Sequence, residues 1–65
     1  MNAVTVNQAL DKLLTKYNSE QLTKSNTLRK WRGVLSQWKM AFGGNYALQD
    51  PDKVNYVIEN GEEPN

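Results

Sequence analysis

Neither cysteine nor histidine occurs anywhere in this 65-residue chain. Without cysteine there is no disulfide framework and no thiolate metal site. Without histidine, Cys/His zinc sites, Ser-His-Asp and Cys-His arrangements and the commonest general base are all excluded. No apolar run approaches the ~20 residues that a membrane-spanning helix needs. The opening MNAVTVNQAL has neither the basic start nor the apolar core of an export signal, so a cytoplasmic protein is expected. Aromatic residues are few, at two tryptophans, three tyrosines and one phenylalanine. A chain this short is near the lower limit for folding on a single core, and those rings are its natural anchors.

The net charge of only +1 hides an uneven distribution. Residues 1–49 carry seven basic and two acidic side chains, whereas residues 50–65 carry Lys53 against Asp50, Asp52, Glu59, Glu62 and Glu63. A basic body with an acidic end points to a polyanionic partner. The acidic 50–63 segment is a second candidate surface, for a protein partner.

What is present is helix grammar. Thr5 and Gln8 match a capping box, and Val6, Ala9, Leu10, Leu13, Leu14 and Tyr17 form one apolar face behind it. Leu28, Trp31, Leu35, Trp38 and Phe42 are spaced by three, four, three and four residues, which at about 100° per residue is one helical stripe. Gly43-Gly44 stops that helix. Asp50-Pro51 supplies an N-cap and a proline at the first helical position, Val54, Val57 and Ile58 face inward, and Gly61 falls at a C-terminal cap. The expected architecture is an all-α three-helix bundle with helices at about 6–17, 24–42 and 51–60. Residues 1–61 form one domain, and residues 62–65 are an acidic tail expected to fray. The expected core is Leu10, Leu13, Leu14, Leu28, Trp31, Leu35, Trp38, Phe42, Val54, Val57 and Ile58. Residues 18–25 read two ways: a short helical turn under a Ser19 cap, or a loop plugged by Leu22.

Catalysis finds little support. Asp50, Asp52 and Glu59 suit capping and solvation and do not follow a calcium-loop pattern. Tyr17, Tyr46 and Tyr56 have no activating partner in the sequence. No enzyme, cofactor or metal site is expected. Trp31 and Trp38 could stack on single-stranded bases, but their shared stripe with Leu28, Leu35 and Phe42 favours core packing.

The informative feature is a second stripe on the middle helix, formed by Arg29, Arg32, Ser36 and Lys39. Lys24, Ser25, Asn26 and Lys30 lie nearby. Together these cations match roughly three to five phosphates, and arginine can also read guanine in a major groove. Gly33 interrupts the helix beside this stripe. Either it lets a partner approach the backbone, or a long helix simply tolerates one glycine.

The same stretch resembles the N-terminal core-binding domain of tyrosine recombinases, the phage-integrase family of mobile elements. In that pattern a leucine and a capping Ser/Thr precede T-L-x-x-aromatic-x-x-x-L-x-x-aromatic. Leu22, Thr23, Thr27, Leu28, Trp31, Leu35 and Trp38 fill those places. VNQALDKLLTKY is similar to the family's first helix, and DPDKVNYVIENG to the helix that opens with an acidic residue and proline. The resemblance implies a SAM-like, integrase N-terminal-domain-like fold that grips one face of duplex DNA. Arg29, Arg32, Ser36 and Lys39 would be the major-groove contacts, and Lys24, Ser25 and Asn26 would lie near phosphates. The family's Arg/His/Tyr catalytic domain has no counterpart in these residues, so DNA binding without recombination chemistry is the function implied. Two other readings stay open. One is a phage- or plasmid-type helix-turn-helix regulator, with Ser19 to Lys24 as the short helix and Asn26 onward as the recognition helix. The other is a helical protein-interaction module, an inhibitor or assembly factor, that ignores nucleic acid.

Overall fold

A computed structural model describes residues 3–64. They form four α-helices: α1 Val6–Lys16, α2 Ser19–Lys24, α3 Asn26–Phe42 and α4 Pro51–Asn60. The long α3 packs against each of the other three, α1 also meets α4, and α2 rests on α3 alone. An all-α bundle is therefore correct, but it has one more helix than the three-helix expectation.

The extra helix arises from capping. Asn18, extended at φ −82° and ψ 173°, accepts from the Gln21 amide while the Gln21 side chain returns to the Asn18 amide. That reciprocal pair nucleates α2 from Asn18, not from the expected Ser19. One residue later the pattern repeats. Ser25 is extended at φ −93° and ψ 118°, and its hydroxyl accepts from Leu28 N–H at 3.2 Å. The same Ser25 closes α2, donating its amide to the Gln21 carbonyl. Helix 24–42 is thus corrected to 26–42, because a serine that caps forward cannot also continue a helix from behind. At the other end of the hairpin, α1 stops at Lys16 and Tyr17 is extended.

The start of α1 is fully satisfied. Val6 N–H donates to the Tyr46 carbonyl (3.0 Å), Asn7 N–H to the Gly44 carbonyl (2.9 Å), Gln8 N–H to the Thr5 hydroxyl, and Thr5 N–H to the Gln8 side chain (3.0 Å). All four amides that a helix start leaves orphaned have partners. Leu48 N–H donates to the Val4 carbonyl, and Thr5 pairs with Ala47 in an isolated antiparallel bridge. The α3–α4 connector therefore lies against the N-terminal segment. Gly44 makes this approach possible: a Cβ there would fall 2.2–2.4 Å from Asn7 side-chain atoms. At the far end Gly61 caps α4 in the left-handed region, at φ 71° and ψ 15°. The capping expected at Thr5, Asp50 and Gly61 is observed at each.

The core gathers Val6, Ala9, Leu13, Leu22, Leu28, Trp31, Leu35, Leu48, Val54, Val57 and Ile58. Leu10 and Trp38 pack against it half-buried. Two expected core residues are corrected: Leu14 is 50% and Phe42 59% exposed. Leu14 sits on the flank of the α1 stripe, where the neighbouring surface is an open groove. Phe42 is the last residue of α3 and finds only Tyr46 to stack on, with ring centroids 4.7 Å apart. Leu22, read from the sequence only as a plug, and Leu48 of the α3–α4 connector are also buried.

Candidate nucleic-acid interface

A 17-residue helix is about 26 Å long. On α3, Arg29, Arg32, Ser36 and Lys39 fall within about 80° of arc, beside the buried stripe. Arg29, Arg32 and Lys39 are exposed and Ser36 is half-buried. Arg29 Nη2 donates to Asn26 Oδ1 at 2.8 Å, which steadies the guanidinium without neutralising it. Arg29 and Arg32 line a small depression of about 80 Å³ together with Leu22 and Thr23 of α2. Lys39 stands at the rim of a wider groove of about 460 Å³ against α1, beside Asn7, Leu10, Asp11 and Leu14. The stripe thus spans the α2–α3 junction at one end and the α1–α3 seam at the other.

Ion pairing divides the cations into two sets. Lys12 and Lys16 of α1 both reach Glu59 of α4, at 2.6 and 3.0 Å. Lys24 pairs with Glu20 one turn away (2.7 Å), and Lys30 pairs with Glu63 (3.1 Å). Among the described residues, Arg29, Arg32, Lys39 and Lys53 form no ion pair with a carboxylate, and Lys53 stands apart on α4, over the Trp31 ring. Arg29, Arg32 and Lys39 are the three cations of the expected stripe. Lys24 and Lys30, expected alongside them, are already engaged. The Lys24–Glu20 pair is exposed on both sides and would yield readily to a stronger anion. Ser25 and Asn26 are occupied as well, one as the α3 cap and the other as the acceptor for Arg29.

The acidic end is also turned inward. Glu59 is held at about 2, below its ordinary 4.5, by hydrogen bonds from Lys12 and then Lys16, reinforced by their charges. Glu63 is likewise lowered, by hydrogen bonds from Lys30 first and from Trp31 second. Trp31 Nε1 donates to Glu63 Oε1 at 3.0 Å. The tail expected to fray is therefore tied at Glu63, while Asn65 lies outside the described residues. Two of the five acidic groups offered to a protein partner are consumed within the molecule.

Trp31 is buried and Trp38 half-buried, with their rings edge-to-face at 6.4 Å and 81°. Together with Phe42, Tyr46, Leu48 and Val54 they line a cleft of about 430 Å³, edged by Gln49, Asp50 and Lys53. The Lys53 ammonium lies 5.7 Å from the Trp31 ring centroid. Sequence spacing placed Phe42 in the core and so missed this cleft. The available signal was that Phe42 directly precedes Gly43-Gly44, where no following turn covers it. Among the described residues no three Asp or Glu side chains gather in a metal-binding group, and no helix is long and apolar enough to cross a membrane.

Comparison with protein-family models, with curated proteins and with solved structures finds no match to this chain.

Proposed function

We propose that this chain is a non-catalytic DNA-binding module that lays the Arg29, Arg32 and Lys39 face of α3 against duplex DNA. One observation carries the reading: four lysines elsewhere are neutralised by carboxylates, while these three cations share one face and, among the described residues, meet none. Unpaired surface charges of one sign raise the local concentration of a polyanion and steer its approach. The resemblance to the core-binding domain of tyrosine recombinases rests on the same helix and supports the same orientation. Contact positions are Arg29, Arg32, Ser36 and Lys39, the three cations among them meeting phosphates. No step of recombination chemistry belongs to these residues.

The test is a titration of random duplex over a range of salt. Three phosphate contacts give a slope of log affinity against log salt near −3, at about 0.9 per contact. Arg29→Ala with Arg32→Ala brings the slope to about −1 while leaving the far-ultraviolet circular dichroism unchanged. Absence of binding at low salt, or binding indifferent to salt, contradicts the proposal and leaves a protein-interaction module as the better account.

The helix-turn-helix reading draws on the existence of α2 immediately before α3. Against it, a single residue, Ser25, separates the two helices, where that motif uses a turn of three to four residues. A dimer on a palindromic site, measured by light scattering of the complex, would favour the regulator over the one-sided grip.

A further inference from the structure

Each glycine of this chain except one has a reason inside the molecule. Gly43 and Gly61 adopt positive φ, at 93° and 71°. Gly44 has no room for a Cβ beside Asn7. Gly33 has neither reason. It is exposed in the middle of α3, and a Cβ built on it would meet nothing within 4 Å. Glycine at a mid-helix position weakens the helix relative to alanine, so folding alone disfavours it. Its surroundings are specific. Arg29 lies one turn before it and Ser36 and Gln37 one turn after, while Arg32 projects about 100° round the helix on the Arg29 flank. Neither arginine has a carboxylate partner among the described residues.

We propose that Gly33 is the point of closest approach between α3 and duplex DNA, where the helix main chain lies against the sugar-phosphate backbone and Arg29 and Arg32, both on one flank of the glycine, engage the phosphates there. This rests on the DNA-binding reading above and adds to it the register of the contact. A side chain at position 33 would stand between the helix and its ligand, next to Arg29, and hold that guanidinium away. A protein helix could also exploit a glycine. Packing one here would bury two unpaired guanidinium groups, which is unfavourable without new carboxylates to meet them. A phosphodiester chain supplies the anions itself.

The experiment compares the parent chain with Gly33→Ala and Gly33→Gln, each by thermal melt and by fluorescence anisotropy on random duplex at one low salt concentration. Both variants should melt at or above the parent, since both residues are better helix formers. Affinity should fall in the order parent, alanine, glutamine, with glutamine weaker by about tenfold or more, the loss of about one charge-assisted contact. A parent that binds and a glutamine variant that binds equally or more tightly overturns the close approach while sparing the DNA reading. A parent that fails to bind at low salt overturns both.

Discussion

Leu14 and Leu35 are the same residue type, both on apolar faces by spacing, yet the fold treats them differently. Leu35 has no exposed surface, whereas Leu14 is half in solvent beside the α1–α3 groove. Truncation to alanine therefore separates them. Leu35→Ala removes methyl groups from a closed core and should destabilise by about 2–5 kcal/mol, enough to leave a domain of this size largely unfolded. Leu14→Ala should stay within about 1 kcal/mol of the parent. Urea denaturation followed by tryptophan fluorescence reads both; equal losses would mean that Leu14 is buried after all. Helical spacing names the faces of α1 and α3. The edge of a face is decided by which neighbouring element reaches over it, and for Leu14 none does.

At the level of elements, Ser25 is the hinge of the architecture. It ends α2 through its amide and begins α3 through its hydroxyl, so two helices meet at one residue. Ser25→Ala keeps the backbone donor but loses the acceptor for Leu28 N–H. A loss of about 1 kcal/mol is expected, with a drop in helical circular dichroism. An unchanged stability would show that water or a neighbouring hydroxyl caps α3 equally well. Both capping boxes, Thr5/Gln8 and Asn18/Gln21, are present in the sequence as S/T/N-x-x-Q patterns. The first is recognisable because an apolar periodicity follows it directly. The second precedes only one apolar residue, Leu22, which is too little pattern to separate a helical turn from a loop.

For the whole molecule, the acidic C-terminal end closes the bundle by binding its lysines. Glu59 links α4 to α1 through Lys12 and Lys16, and Glu63 links the tail to α3 through Lys30. Glu59 has a depressed folded-state pKa of about 2 against an ordinary 4.5. The stability it contributes is therefore complete above about pH 4.5 and is lost as pH falls toward about 2. An acid titration of the parent should show declining stability across that window, and Glu59→Gln should flatten the decline. Parallel curves for the two chains would show that the contact carries no linked stability. Among the described residues, the same pairing leaves Arg29, Arg32 and Lys39 as the unpaired cations of α3. This is why a chain of net charge +1 can still present a basic face.

The sequence by itself determined the helical class, the caps at Thr5, Asp50 and Gly61, the buried stripe through Leu28, Trp31 and Leu35, and the arc that holds Arg29, Arg32, Ser36 and Lys39. These are consequences of local rules: a side-chain oxygen meeting a nearby amide, and a repeat of 3.6 residues per turn. Only the tertiary structure decided which cations stay unpaired, because Glu59 and Glu63 meet lysines 43, 47 and 33 positions away along the chain. It alone placed Leu48 inside and Phe42 outside, and it folded the α3–α4 connector onto the start of α1. Long-range contacts have no periodicity to betray them. They follow from which surfaces remain once the local elements have formed and packed.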